Sequence, residues 1–416
     1  MKYDVAVIGG GASGLMAAGR AGEKGAQVIL IEKNNQLGVK LLMTGGTRCN
    51  LTNNIEDPKA LAAHYGAAGR FLISAFSRFG ALDAIRFFND RGVGTKMEEN
   101  NRVFPASDSG RDVLKALVDY CRQGNVEIMT GAAAKEFLME DDAATGSKIG
   151  AVKLMNGQEI TAAQYVIATG GRSYPGSGST GDAYDWLRKM GHAVVAPSPA
   201  LVPVMVGEGC VADLEGLSQR DAAVSLWQDD KKIASGRGDI LFTAAGLSGP
   251  AILNISRFIA LPLSSKTELS LDFFPDIEKP ALDRHLREIF SGSNKNLKNS
   301  LVSLIAPRLS AVLGELAVID SDKKANAYTK EERQRLVALL KDFRFSVKAL
   351  AGYDKAMITA GGLELKEVDP KDMRSKLISN LCVVGEALDI AGPTGGFNLQ
   401  ACWSTGYVAG EAAVNG

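Results

Sequence analysis

Three glycines, Gly9, Gly11 and Gly14, stand at GxGxxG spacing directly behind an apolar run, and an acid, Glu32, follows eighteen residues after the last of them. That combination suits a dinucleotide. The first glycine permits a tight turn, the second lets the backbone approach a pyrophosphate, and the third lets the next helix pack on the strand. The helix N-terminus, with Ser13 in its first turn, directs free N–H groups and a positive dipole end at the phosphates. Glu32 is then placed to accept hydrogen bonds from ribose hydroxyls, with Lys33 beside it. A lone glycine triplet occurs in many turns; strand, turn, helix, strand and acid in that order are specific.

Two later glycine clusters decide which dinucleotide. A nicotinamide dehydrogenase would continue with alternating strands and helices, whereas here a polar, glycine-rich stretch spans residues 37–50. Residues 166–171 form a strand type ending in Thr169, Gly170 and Gly171. Residues 381–398 read as a strand, then Gly385, Glu386 and Asp389, then Gly396 and Phe397 before a helix beginning near Asn398. A carboxylate such as Asp389 can hold ribitol hydroxyls. A helix N-terminus can face the flavin pyrimidine carbonyl, where negative charge develops on reduction. FAD is therefore the expected resident cofactor.

Other candidates carry bland alternatives. Cys49 invites a redox role, but the positions five away are Thr44 and Asn54, so no local dithiol forms and a small packed residue is expected. Residues 176–181 also satisfy GxGxxG, yet Arg172-Ser173-Tyr174-Pro175 precede them in place of a strand, and the helix after them leads to a run, His192–Ala196, that stops at Pro197 without a closing acid. A loop and helix start near the flavin is the expectation. With no second nucleotide domain, NAD(P)H would visit only transiently as reductant. Arg102 could orient an anionic substrate and Tyr174 could donate a proton; each could equally be a packing or surface residue. His64, His192 and His285 read as ordinary surface or interface residues. The catalytic proton donor is not legible, and no metal-ligand spacing occurs.

The elements that must position these groups follow from periodicity. Residues 3–8 (YDVAVI) and 26–31 (AQVILI) are buried-strand runs joined by a helix over 15–24. Hydrophobic residues make up 46% and charged residues 23%, the balance of a globular protein rather than a disordered one. Basic and acidic residues both number 47, which argues against nucleic acid as partner. No apolar stretch reaches the ~18 residues of a membrane span, and the five scattered cysteines suit a reducing cytoplasm.

The chain resembles the BaiN-like family of NAD(P)/FAD-dependent oxidoreductases, which includes aminoacetone oxidases. The matching segments are VIGGGASGLMAA near the N-terminus, residues 38–53 (GVKLLMTGGTRCNLTN), Arg102–Pro105, 168–184, 247–253, Ile358–Leu363 and 385–406. The resemblance implies that Lys40, Arg48, Cys49 and Asn50 lie along the FAD. It also implies that Ala134 offers its backbone to the adenine, and that Glu386, Asp389, Asn398, Leu399 and Gln400 hold the ribityl and flavin end. Two positions depart from the family pattern: Thr243-Ala244 stands where members tend to have Thr-His, and Phe397 where they favour tyrosine.

Flavin motifs at both ends require a discontinuous domain. The expected architecture is α/β: a Rossmann-like FAD-binding domain from 1–196 and 345–416, a β-rich insert over 197–276 with hairpin texture, and a small helical insert over 277–344. The expected function is an FAD-dependent oxidoreductase acting on a small hydrophobic molecule, reducing an activated C=C bond with NAD(P)H. An amine oxidase using oxygen, a flavin-containing RNA-modifying protein and a flavin-loaded sensor are the alternatives.

Overall fold

Tyr3–Ile8 is the central strand, β1, of a five-stranded parallel sheet. Val28–Ile31 (β2) and Glu127–Met129 (β3) extend it on one side; Ala162–Ile167 (β4) and Leu381–Val383 (β5) extend it on the other, in the order β5-β4-β1-β2-β3. Val5, Ala6 and Val7 are fully buried, as are Ile29 and Leu30. The sheet is covered on both faces, which is why these strands read as continuous apolar runs without alternation. The computed structural model describes residues 3–142, 146–264, 266–320 and 322–414.

The glycine turn leads into helix Ala12–Glu23 (α1), which packs between Gly110–Gln123 (α2) and the C-terminal helix Phe397–Ala412 (α3). Small residues set these approaches. Gly19 lies against the Tyr120 ring, while Gly406 and Gly410 lie against the carbonyls of Ser13 and Ala17. Helix α3 is buried nearly all round, which explains its lack of a polar face. By these contacts the last helix of the chain is fixed beside the first.

The described chain divides into two compact units: 1–199 with 356–416, and 200–355. The chain leaves the first through strand Val194–Ala200 and returns through Ile358–Leu363, which pair with each other. The second unit is a closed barrel of six antiparallel strands, in the order Val204–Val206, Gly246–Ser248, Lys231–Thr243, Ser218–Gln228, Thr267–Asp272 and Phe343–Leu350. Its strands alternate, with Ala222, Val224 and Leu226 inward on one and Leu269 and Leu271 on the next. Asp229 and Asp230 join the longest hairpin with positive φ at both positions, the two-residue turn that matches strand twist.

Two boundary expectations need correction. Residues 345–350, read as the start of the return into the first unit, belong with 343–344 to the strand Phe343–Leu350, which closes the barrel because Phe343 and Phe345 alternate into its core. The helical stretch is not separate either. Leu282, Leu286, Leu309, Leu313 and Leu336 from helices Lys279–Ser291, Pro307–Leu316 and Lys330–Lys341 share one core with the barrel.

In the first unit, a Cβ on Gly14 would stand 1.8 Å from the Gly9 carbonyl oxygen. Backbone is the obstacle, so no side chain can move aside. Gly14→Ala is therefore expected to destabilise the protein by about 3 kcal/mol, the upper end of overpacking costs, read as a lowered midpoint of thermal unfolding. A melting curve superimposable on the parent's would show that α1 is free to shift on β1.

Candidate functional site

The C-terminal ends of β1, β2 and β4 open onto a cleft in the first unit. Its floor is the glycine turn, Gly9 to Ser13, continuing into α1. That helix has Gly11 as its N-cap, no side-chain cap and no acid in its first turn. Its leading N–H groups therefore have no side-chain acceptor, and a Cβ built on Gly11 meets nothing within 4 Å. Thr169 lines the same cleft with a buried hydroxyl that has no partner. An uncapped helix end, bare backbone and an unsatisfied hydroxyl suit a bound pyrophosphate.

One end of the cleft is built on Glu32, which is only 8% exposed. Its Oε2 accepts from Gly10 N–H at 2.7 Å and its Oε1 from Asn34 N–H at 2.8 Å. Each oxygen keeps a further lone pair for a ribose hydroxyl. Ala132, Ala134 and Trp186 line this end, with the Trp186 indole N–H donating to the Lys135 carbonyl at 3.0 Å. Lys33 also lines it, paired with Asp182 at 2.6 Å.

Elsewhere along the cleft, Lys40 donates to Ser173 Oγ at 2.5 Å and to Glu386 Oε2 at 2.8 Å. The other Glu386 oxygen accepts from Ser173 Oγ and from Thr359 N–H, both at 2.8 Å. Leu41, Met357, Ile358, Ile390 and Leu399 give apolar walls, and Asn398 closes its own loop through Gly392 and Pro393. The N-terminal turn of α3 thus faces the cleft through Asn398 and Leu399.

Of the residues singled out from sequence, the cleft gathers Gly9, Gly11, Ser13, Glu32, Lys33, Lys40, Ala134, Thr169, Gly170, Glu386, Asn398 and Leu399. Gly14, Gly171, Gly385 and Gly396 stand behind it. A side chain on Gly171 would run into Glu386 and Thr359, and one on Gly385 into Ser13. The remaining expectations are not brought to the cleft lining. The Arg48 guanidinium lies over the Phe104 ring and pairs with Glu98 and Asp108. The Asn50 amide, turned to satisfy both ends, bonds Val103, Thr52 and Gly396. Gln400 is fully buried between Thr52, Phe79 and Ser404. Asp389 accepts from Gly361 N–H at 3.0 Å, with burial raising its pKa, and Phe397 packs against His64 and Tyr65.

Cys49 is fully buried with a free thiol, and burial pushes its pKa up to about 12. It is a packing residue in a left-handed turn, φ 63°. Arg102 donates to the Glu99 carbonyl and Tyr174 is exposed; neither lines the cleft. His192 is buried, not superficial, between Glu367 and Ser375. Residues 177–179, expected as a loop near the flavin, line the cleft at its Glu32 end instead, where Asn34 Nδ2 donates to the Ser177 carbonyl at 3.0 Å, and the helix Asp182–Lys189 starts just beyond. Asn34, Trp186, Met357 and Ile390 were missed, since no motif marks them.

Among the described residues, no group of three or more potential metal ligands occurs and no helix is long and apolar enough to cross a membrane. A family model described as the HI0933-like protein Rossmann domain matches residues 3–412. The 3-dehydro-bile acid delta(4,6)-reductase of Clostridium scindens is 32% identical over 419 residues, covering 99% of this chain and 98% of that protein. The ribosomal RNA dihydrouridine synthase of Escherichia coli is 30% identical over 414 residues, covering 99% and 98%. Among solved structures, 3-ketosteroid delta1-dehydrogenase from Sterolibacterium denitrificans aligns with a TM-score of 0.53 over 99% of both chains at 13% identity, a likeness of fold. The chain belongs to the HI0933-like Rossmann family, a family of FAD-dependent oxidoreductases.

Proposed function

We propose that this protein holds one FAD in the cleft and uses it to reduce a C=C bond conjugated to a carbonyl in a small hydrophobic molecule, with NAD(P)H as a transient reductant. The observation that carries the substrate class is the full-length similarity to a bile acid delta(4,6)-reductase. Bound FAD would supply hydride transfer between the nicotinamide and the substrate.

The chain's own groups do the rest. The free N–H groups of α1 and the Thr169 hydroxyl take the pyrophosphate, and Glu32 takes the ribose hydroxyls. Lys40 and Glu386 neutralise each other across 2.8 Å, so the wall they form carries fixed dipoles and no net charge. The positive end of α3 favours negative charge at the flavin end. Leu41, Met357, Ile358, Ile390 and Leu399 keep water away and suit an apolar substrate.

A second reading, favoured by the similarity to a ribosomal RNA dihydrouridine synthase, makes a uridine in RNA the substrate. That too would be saturation of a C=C bond next to a carbonyl. The balance of 47 basic and 47 acidic residues favours the small molecule.

Anaerobic mixing with NADH or NADPH should bleach the flavin, and a cyclic enone should restore its colour. Reduction by amines with return of colour only under oxygen would overturn the reductase. Return of colour with uridine-containing RNA and not with the enone would select the second substrate. Glu32→Gln should weaken FAD retention by about 1.5–3 kcal/mol, the worth of a hydrogen bond to a charged group, measured by titration of the apoprotein; unchanged affinity would remove Glu32 from the site.

With its thiol pKa raised to about 12, Cys49 should stay protonated. No thiolate-to-flavin absorbance should grow between about pH 6 and pH 10, and Cys49→Ser should keep its reduction rate within about a hundredfold, 2.7 kcal/mol of barrier. A pH-dependent long-wavelength band lost in that variant would make Cys49 a flavin contact.

A further inference from the structure

We propose that residues 177–182 form a clasp over the Glu32 end of the cleft, and that the Lys33–Asp182 ion pair sets the rate at which the dinucleotide leaves. This rests on the assignment of FAD to the cleft. Ser177, Gly178, Ser179 and Asp182 line the cleft from one side, while Glu32, Lys33 and Asn34 line it from the other. Three bonds join the two sides. Asn34 Nδ2 donates to the Ser177 carbonyl at 3.0 Å, and Lys33 Nζ donates to Thr180 Oγ1 at 2.5 Å and to Asp182 Oδ2 at 2.6 Å. The Thr180 hydroxyl in turn donates to Asp182 Oδ1 at 2.7 Å.

All the latches land on the two residues that follow Glu32, the expected ribose acceptor. A ligand held there is enclosed by the same bonds that close the clasp. The segment is preformed, since Tyr174 is held at φ 56° by two bonds from Ser177 to its carbonyl. Gly178 at φ 94° and Gly181 at φ 84° alternate with the latching residues Ser177, Thr180 and Asp182. Two glycine pivots let the segment swing without strain on a Cβ. The side chains of Lys33 and Asp182 are 28% and 33% exposed, so salt reaches the pair.

The test is the FAD release rate of the holoprotein, followed as the rise of flavin fluorescence after dilution at low and high salt. Lys33→Met should release FAD about fivefold faster than the parent at low salt, and salt should accelerate the parent more than the variant. Lys33→Arg should stay close to the parent. Asp182→Asn should match Lys33→Met, and the double variant should be no faster than either single one, because both remove the same interaction. Asp182 opens a helix, so Lys33→Met carries the test if the aspartate variants fail to fold. Parent-like release with parent-like salt dependence in Lys33→Met, or additive effects in the double variant, would overturn the clasp while leaving FAD in place. A parent protein that binds no FAD would overturn the cofactor assignment and the clasp together.

Discussion

The approach of one backbone to another at the start of α1 is the constraint on which the rest depends. Gly14 sits over the Gly9 carbonyl so closely that no side chain fits between them. This fixes the helix end at the tip of β1, with its first turn lacking both cap and acid. A helix that ends uncapped in a concave, partly buried place holds an unmet demand for negative charge. The same economy of side chains recurs where Gly406 and Gly410 meet the carbonyls of Ser13 and Ala17. Through that contact the end of the chain is brought to the cleft that its beginning opens.

Charge pairing explains what kind of site this is. Lys33 and Lys40 are the cations that line the cleft among the described residues, and each is held by a carboxylate, Asp182 or Glu386. Neither is left as a free counter-ion for phosphate. With FAD in the cleft as proposed, phosphate binding would fall to backbone N–H groups and to the Thr169 hydroxyl, while the lysines tie distant segments together. Helix α3 repeats the device at the other end, with Gly396 as N-cap and no acid in its first turn.

Much of this was legible in the sequence because its cause is local. The turn, α1 and Glu32 are specified within the first thirty-two residues, where each residue type answers a steric or electrostatic need. The hairpin texture of residues 197–276 was legible for the same reason. What escaped depends on distant partners. Arg48 and Asn50 lie in a segment that resembles a cofactor-binding motif, and the partners they meet, Glu98, Asp108 and Val103, are distant in sequence. Gln400 is likewise bonded within the fold, to Thr52, Phe79 and Ser404. Trp186 and Met357 reach the cleft on elements whose local patterns mark only burial or exposure. The barrel strand Phe343–Leu350 was misplaced because an alternating run shows that a strand exists, not which strand it pairs with.

As proposed, the uncapped end of α1, Thr169 and Glu32 together hold a complete flavin dinucleotide. Acid release of the cofactor from purified protein, with chromatographic identification and quantitation against chain concentration, tests it most directly. About one FAD per chain is the expected result, given one cleft with both a pyrophosphate floor and a ribose acceptor. FMN in place of FAD, or protein that stays colourless after incubation with excess FAD, would contradict it.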